Sequence, residues 1–108
     1  MGGAGNVLIF NGSAETNGFF TLIGGAGNDS LTGGIGVDVL VGNGGNDTLL
    51  GASGADELYG GSGGNAFDGG SGDDLIDNGE GTGASALTGG SGNDTIFSSY
   101  SGGTDSID

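Results

Sequence analysis

The sequence predicts an all-β repeat fold, and three observations carry this prediction. From Gly24 onward the chain divides into units of nine residues, the fourth residue of each unit is glycine, and the eighth is apolar. A fixed short period sustained over many units is the signature of an architecture in which successive units stack on one another. The apolar position alternates with its neighbours in the way of a short strand that buries one face.

The repeat is interrupted at two points. Asn78 and Gly79 are read as two extra residues before one unit, and Ser98 and Ser99 as two more before the last. The units span residues 24–32, 33–41, 42–50, 51–59, 60–68, 69–77, 80–88, 89–97 and 100–108.

Three columns define the repeat. The fourth-position glycines are Gly27, Gly36, Gly45, Gly54, Gly63, Gly72, Gly83, Gly92 and Gly103. The sixth-position residues are Asp29, Asp38, Asp47, Asp56, Asn65, Asp74, Ser85, Asp94 and Asp105. The eighth-position residues are Leu31, Leu40, Leu49, Leu58, Phe67, Ile76, Leu87, Ile96 and Ile107. Most units therefore place one carboxylate and one apolar side chain at fixed points.

The chain has no Lys, Arg or His to balance its 14 acidic residues. At a net charge of −14 the acidic residues repel one another, so we expect the chain to stay unfolded until cations are supplied from outside. Nothing in it neutralises phosphate, which excludes nucleic acid and an acidic membrane surface as partners. No apolar run is long enough for direct membrane insertion. Without His, Lys or Cys the usual bases and nucleophile partners are missing, so we expect no enzyme activity.

The units GGAGNDSLT (24–32) and GGSGNDTIF (89–97) resemble the calcium-binding nonapeptide of RTX (repeats-in-toxin) proteins, G-G-x-G-x-D-x-U-x. The resemblance covers residues 24–108. It implies a right-handed parallel β-roll, a β-solenoid of nonapeptide repeats with two repeats per turn. In each repeat the first six residues would form a loop and the last three a short strand.

The residue types that recur at the fourth and sixth positions of the repeat are suited to binding calcium. Ca²⁺ takes six to eight oxygen ligands, from carboxylates and backbone carbonyls, whereas zinc and copper prefer the His and Cys that this chain lacks. We expect about four to six ions, bound weakly, in the range of about 10⁻⁴–10⁻³ M. The predicted metal-binding residues are Asp29, Asp38, Asp47, Asp56, Asn65, Asp74, Asp94, Asp105, Gly25, Gly27, Gly34, Gly36, Gly45, Gly54, Gly61, Gly63, Gly70, Gly72, Gly90 and Gly92.

The resemblance also distributes the ions over the two sides of the roll. The side carrying Asp38, Asp56, Asp74 and Asp94 has no gap, and three well-formed sites are expected there. On the other side we expect one good site between Asp29 and Asp47 and a weaker one at Asn65. Ser85 departs from the pattern and weakens any site beside it. The alternative, in which these residues merely close turns, does not require a nine-residue register.

Residues 1–23 are interpreted as degenerate, calcium-free N-terminal coils, and residues 24–108 as the calcium-binding roll. In the units 2–10 and 15–23, Val7 and Phe20 stand where aspartate belongs. Neither end shows the polar cap that keeps a solenoid monomeric, so a homo-oligomer by end-to-end or lateral stacking is expected. An apolar stripe on one outer face would serve the lateral contact; it comprises Val39, Val41, Tyr59, Leu75 and Phe97.

Three functions are compatible with the sequence to different degrees. The first is a calcium-gated structural subunit of an extracellular fibre, sheath or surface layer. The second is a calcium-triggered folding and secretion module of a larger RTX toxin, protease or adhesin. The third, ice binding, needs a regular array of Thr or Asn, and the irregular fifth positions argue against it. Cytosolic calcium is too low to fold such a chain, so we expect it to be secreted, in the extracellular space or at the cell surface.

Overall fold

The structure, a computed structural model, describes residues 5–16, 18–98 and 106–107. This part of the chain contains strands and no helix, and hence no helix long and apolar enough to cross a membrane. The strands found in it are β1 (Ile9–Asn11), β2 (Thr21–Ile23), β3 (Ser30–Thr32), β4 (Val39–Asn43), β5 (Thr48–Ser53), β6 (Glu57–Gly61), β7 (Ala66–Ser71), β8 (Leu75–Asp77), β9 (Ala86–Ser91), β10 (Thr95–Phe97) and β11 (Ser106–Ile107).

The strands form two parallel sheets between which the chain alternates. Sheet A has the order β1-β3-β5-β7-β9-β11, and sheet B has the order β10-β8-β6-β4-β2. Each strand therefore pairs with the strand two units away, and one turn of the coil contains two repeats. The predicted all-β parallel β-roll is confirmed. Its smallest extent is 13 Å, as expected for two sheets packed about 10 Å apart.

The core is a ladder of eighth-position side chains between the sheets. In the register of β3 with β5, Leu31 lies beside Leu49, and in that of β4 with β6, Leu40 lies beside Leu58. Strand residues on either side of each rung point outward, because side chains alternate along a strand. The fully enclosed rungs are at most 3% exposed; they are Leu31, Leu40, Leu49, Leu58, Phe67, Ile76 and Leu87.

Close stacking of the loops explains the fourth-position glycine. Gly54 has a φ of +131°, a conformation that costs little only for glycine. A Cβ on Gly54 would also run into the backbone carbonyl of Gly36, the fourth-position residue one turn earlier. Any side chain at this position therefore forces adjacent turns apart.

The predicted unit 2–10 is wrong by one residue. Phe10, not Ile9, pairs with Leu31 and points into the core. A slip of one residue exchanges the two faces of a strand, and the observed register buries the larger ring. Phe10 packs edge-on against Phe20, with 5.2 Å between the ring centroids.

The same correction changes which residue replaces the first aspartate. Leu8 lies in the sixth position instead of Val7, and its N–H donates to Asp29 Oδ1 at 2.7 Å. The following loop is longer than a standard one, because Gly12 and Gly18 take its first and fourth positions with five residues between them.

The interpretation of Asn78 and Gly79 as residues preceding a unit is also wrong. The N–H of Asn78 donates to the carbonyl of Phe97 at 2.9 Å, as first-position residues do in other turns. Gly79 has a φ of +72° and packs on the backbone of Gly61, a second-position residue. Gly81 packs on the carbonyl of Gly63, a fourth-position residue, so Gly81 takes the fourth position and the assignment of Gly83 to it is wrong. The two extra residues therefore lie within the loop, between Gly81 and Ser85, where a longer connection is tolerated without disturbing the strands.

Candidate metal centre

Sixth-position side chains form a continuous column along the corner that leads into sheet B. The N–H of each residue donates to Oδ1 of the aspartate one turn later, with distances of 2.8 Å from Asp38 to Asp56 and 2.9 Å from Asp56 to Asp74. The column begins at Phe20, whose N–H donates to Asp38, and continues to Asp94, which accepts from Asp74 at 3.0 Å. These hydrogen bonds stack four carboxylates in one line.

The corner that leads into sheet A carries a second column that changes character halfway. Asp29 donates its N–H to Asp47 Oδ1 and Asp47 donates to Asn65 Oδ1, both at 2.8 Å. Asn65 in turn donates to the hydroxyl of Ser85 at 2.9 Å. The hydrogen bonds between sixth-position residues thus continue through Asn65 and Ser85, which are not carboxylates. Asp105 lies outside the described residues.

The second carboxylate oxygen divides the loops into two kinds. In the units 24–32 and 33–41, Oδ2 of Asp29 and Asp38 accepts the N–H of the second-position glycine of the same loop, Gly25 or Gly34. In the three units that start at residues 42, 51 and 69, Oδ2 is buried without a hydrogen-bond partner. Those oxygens belong to Asp47, Asp56 and Asp74. A buried carboxylate oxygen without a donor is costly unless a cation satisfies it.

The backbone of the second position accounts for the difference. In the second kind of loop this residue has a positive φ: 78° at Asn43, 84° at Ala52 and 101° at Gly70. In the first kind, Gly25 and Gly34 are absent from the residues with positive φ. Where the second-position residue is left-handed, the aspartate Oδ2 has no hydrogen-bond partner, and we call such an oxygen open. Where the second-position residue is not left-handed, its N–H donates to Oδ2.

Carbonyl oxygens converge on the same points as the open carboxylate oxygens. A Cβ on the first-position residue Gly51 would sit 2.5 Å from Asp56 Oδ2 and 2.5 Å from the carbonyl oxygen of Gly69. Gly69 has the same surroundings, with Asp74 Oδ2 and the carbonyl of Gly89. Each such point brings a carboxylate oxygen and a backbone carbonyl oxygen together, and both are ligand types that hard cations such as Ca²⁺ prefer.

Carboxylates alone do not complete any of these sites. The described residues hold no group of three or more His, Cys, Asp or Glu side chains arranged for a metal ion. Two successive aspartates are the most that one position between turns receives, so further ligands must come from backbone carbonyls. The chemistry fits a cation with a large coordination number and no need of nitrogen or sulfur.

The columns are electrostatically unfavourable without a cation. Burial, and then the neighbouring carboxylates Asp38 and Asp74, raises the pKa of Asp56 from 3.8 to about 6, against the opposing effect of the N–H that it accepts. Burial likewise raises the pKa of Asp47 and of Asp74, each next to another aspartate. Desolvation and like charge both disfavour the ionised form. A divalent cation would remove both penalties.

Most of the predicted glycines lie where the loops demand glycine. Positive φ is found in the fourth position and in the second. The fourth-position residues are Gly36, Gly45, Gly54, Gly63, Gly72 and Gly92, and the second-position residues are Gly61, Gly70 and Gly90. Gly27, in the first repeat, is not among them but packs directly on the backbone of Asn6.

Two groups of residues escaped the sequence reasoning. Asn43 and Ala52 adopt the left-handed conformation of a second-position glycine although neither is glycine. The sequence analysis also did not predict that the first-position glycines border the site. Both groups could have been found from their positions in the nine-residue register. The first-position glycines at which an added Cβ would collide with an aspartate Oδ2 are Gly24, Gly33, Gly42, Gly51, Gly69 and Gly89.

Fold and site together define a class: a parallel β-solenoid whose loops stack carboxylate oxygens beside backbone carbonyl oxygens. The family model described as RTX calcium-binding nonapeptide repeat (4 copies) matches residues 21–49, 50–84 and 81–99, well over half of the chain. The protein belongs to this family of calcium-binding repeats. Neither the comparison with curated proteins nor that with solved structures found a match.

Proposed function

We propose that this protein is an extracellular structural protein that binds calcium in its two columns and folds when it does so. The observation that supports this most directly is the set of open carboxylate oxygens on Asp47, Asp56 and Asp74, buried in a chain without Lys, Arg or His. With no internal cation available, the folded columns require one from solution.

The proposed ions lie between successive loops of each column. In the column next to sheet B, three ions lie between Asp38 and Asp56, between Asp56 and Asp74, and between Asp74 and Asp94. The carboxylates supply charge, and the carbonyls of the loop glycines complete the coordination.

In the column next to sheet A, one ion lies between Asp29 and Asp47, and a weaker site involves Asn65. About four to six ions per chain result, and Asp105 is the remaining candidate ligand. Among the sites with two aspartates, those that include Asp29 or Asp38 are expected to be weaker than the rest, because calcium must compete there with a second-position N–H.

Calcium supplies the free energy that the core lacks. The ladder of enclosed apolar residues has one side chain per repeat, and ordering each residue costs about 1–2 kcal/mol of backbone entropy. The 31 glycines lose more conformational freedom than other residues would. Metal binding energy then becomes folding energy, so that the free chain is unfolded and the calcium-bound chain is folded.

The proposed location follows from affinity. Sites with two carboxylates and several carbonyls fall among extracellular calcium modules that bind at about 10⁻⁴–10⁻³ M. Such sites fill outside the cell, where the folded roll would act as a subunit of a fibre, sheath or surface layer. The second candidate is a folding and secretion module of a larger RTX toxin, protease or adhesin, which the family membership supports equally.

A calcium titration followed by far-UV circular dichroism and light scattering tests the proposal, with magnesium as the control. We expect β signal with calcium alone, since Mg²⁺ demands stricter octahedral geometry and retains its water. A rise in scattering with the β signal favours the assembling subunit, and its absence favours the module. A chain whose spectrum ignores calcium, or responds equally to magnesium, would refute calcium-dependent folding.

A further inference from the structure

Asparagine followed by glycine recurs in this chain, and such a pair is chemically labile. The backbone nitrogen of the glycine can attack the side-chain amide carbon of the asparagine, because glycine has no Cβ to hinder the approach and its backbone rotates freely. The pairs are Asn11–Gly12, Asn17–Gly18, Asn43–Gly44 and Asn78–Gly79. Asn17 lies outside the described residues, and the structure shows what the fold does to the other three pairs.

The fold engages the attacking nitrogen of each described pair in a hydrogen bond. The bonds run from the N–H of Gly12 to the carbonyl of Thr32 at 2.9 Å, from that of Gly44 to the carbonyl of Gly25 at 3.0 Å and from that of Gly79 to Oδ1 of Asp77 at 2.9 Å. A nitrogen held in this way points at its acceptor and retains its proton. The loop must therefore open before the nitrogen can react with the preceding side chain.

Asn78 is the pair member with the least room around it. Its side chain is fully buried, and it takes the first position of a loop whose neighbours along the chain begin with Gly69 and Gly89. Gly79 has a φ of +72°, and a Cβ there would lie 2.9 Å from the carbonyl oxygen of Gly61. The backbone at this pair thus has no space for additional atoms.

We propose that Asn78 is a deamidation site of the calcium-free chain, that folding blocks the reaction, and that the modified residue hinders folding of its turn. In the unfolded chain a base from solvent, water or hydroxide, takes the proton of the Gly79 nitrogen. That nitrogen forms a bond to Cγ of Asn78 while the Cγ–Nδ2 bond breaks, and Nδ2 leaves as ammonia. Water then opens the five-membered imide at either carbonyl carbon, so that residue 78 becomes aspartate or isoaspartate without any oxidation or reduction.

Neither product suits the folded loop. Isoaspartate carries the main chain through its side-chain carbon, which adds one atom to the backbone that packs on Gly61. Aspartate retains the main chain but places a carboxylate where the structure buries an uncharged amide, and burial disfavours the charged form. The chain has no Lys, Arg or His to compensate this charge. The calcium-free chain would therefore lose its ability to fold with time, and calcium would preserve it.

Asn43 provides an internal comparison with the same glycine after it. Its side chain is exposed, and its Nδ2 makes only a long hydrogen bond, 3.3 Å, to the carbonyl of Gly24. An aspartate there would place its charge in water. Asn43 and Asn78 should thus react alike in the unfolded chain, but only the change at residue 78 should impair folding. This inference rests on the proposed calcium-dependent folding.

Peptide mapping by mass spectrometry during incubation at mildly alkaline pH tests the reaction. In chelator, Asn43 and Asn78 should deamidate at similar rates, and saturating calcium should slow the reaction at Asn78 at least about tenfold, since the loop must first open. Magnesium, and calcium with enough urea to unfold the chain, are the controls and should not protect Asn78. Equal rates at Asn78 with and without calcium in a chain that circular dichroism shows to be folded, or protection that persists in urea, would overturn the proposal. Failure to fold with calcium would instead overturn the proposed function.

Two substitutions test the effect of the aspartate product on folding. Asn78→Asp should raise the calcium midpoint of folding at least about tenfold, because it buries a charge, whereas the exposed Asn43→Asp should not raise it. Material aged in chelator and then given calcium tests isoaspartate as well: the folded fraction, separated by size-exclusion chromatography, should be depleted of modification at residue 78 and not at residue 43. Folding of Asn78→Asp at the original calcium concentration, or equal modification of residue 78 in the folded and unfolded fractions, would contradict the proposed effect on folding.

Discussion

The N–H of Asp38 donates a 2.8 Å hydrogen bond to Oδ1 of Asp56, one turn further along the roll. Oδ2 of the same Asp56 side chain is buried and has no hydrogen-bond partner. The two oxygens of one carboxylate therefore differ in role: one fastens adjacent turns, and the other is free for a cation. An asparagine at this position would preserve the first role and abolish the second.

Asp56→Asn should accordingly weaken calcium-dependent folding, but it should make the folded state of the calcium-free chain less unstable. Loss of a direct ligand is expected to raise the calcium midpoint at least about tenfold, since even residues that only support ligands contribute that much. Without calcium, the neutral amide removes a desolvated negative charge between Asp38 and Asp74, so the roll becomes less unstable. Circular dichroism with and without calcium measures both effects.

Glu57→Gln is the matched control for this substitution. Glu57 is the next residue, but its side chain points outward and accepts the hydroxyl of Tyr59. The same loss of one charge should leave the calcium midpoint within about twofold, as expected of a charge that is only half-buried and lies outside the column. Equal shifts for both variants would mean that calcium responds to net charge and not to the column.

Asn65→Asp should add binding capacity where the second column loses its carboxylates. Oδ1 of Asn65 accepts the N–H of Asp47, which places Nδ2, a donor, at the point that an open carboxylate oxygen takes in other loops. An aspartate would put an acceptor there. Isothermal titration calorimetry should show tighter binding or a further ion per chain.

Asn46→Asp tests whether added charge alone produces that gain. Asn46 is exposed, and its Oδ1 accepts the N–H of Gly64, so the hydrogen-bonding situation is similar but lies outside the column. We expect no further ion for this variant. A gain shared by Asn46→Asp would argue against a site at residue 65.

The sequence predicted the fold because the nine-residue register and the apolar eighth position specify strand, face and stacking together. It failed in the first coil, where Val7, Leu8, Ile9 and Phe10 are all apolar and no alternation marks the inner face. Only the pairing of β1 with β3 shows that Phe10 is the inward residue. A run without polar neighbours leaves the register open to a slip of one residue.

The aspartate columns were likewise evident from spacing, whereas the state of each carboxylate was not. Whether Oδ2 meets an N–H, as at Asp38, or none, as at Asp56, depends on the backbone of the second position. Gly34 and Ala52 hold that position in the two loops, and glycine permits either conformation. Composition gives no indication of which one is chosen.

Gly54→Ala should disrupt the roll. The added Cβ would collide with the carbonyl of Gly36 and impose a φ of +131° on alanine, so we expect a loss of more than about 2 kcal/mol in calcium. Gly44→Ala is the control, because its Cβ would make an ordinary contact, 3.5 Å from the hydroxyl of Ser62. Urea denaturation in calcium should separate the two variants; equal stability would show that fourth-position stacking is not limiting.

Ala52→Gly should stabilise the folded protein. Ala52 has a φ of 84°, which alanine adopts at a cost and glycine does not, so we expect a gain of about 1 kcal/mol after the larger entropy of the unfolded glycine is subtracted. Ala55→Gly, at an exposed position outside the residues with positive φ, should lose about 0.5–1 kcal/mol by the entropic effect alone. The difference in urea midpoint measures this contrast, and a loss in both variants would contradict the strain at residue 52.

Acidity should act in opposite directions with and without calcium. Between the ordinary pKa of 3.8 and the folded value of about 6, Asp56 keeps a proton in the folded state that the unfolded chain has released. The folded state then binds more protons, so the stability contributed by this group is complete below pH 3.8 and is lost as pH rises through about 6. The raised pKa of Asp47 and of Asp74 acts in the same sense.

Calcium requires the ionised carboxylates, so binding competes with these protons. Residual β structure in chelator should therefore increase as pH falls from 7 to 4, whereas the calcium concentration needed for folding should rise over the same interval. Circular dichroism at each pH, with chelator or with graded calcium, follows both trends on one sample. In Asp56→Asn both trends should be weaker, because the variant lacks the carboxyl whose pKa burial raises to about 6. A calcium midpoint independent of pH would mean that the buried carboxylates do not bind the ion.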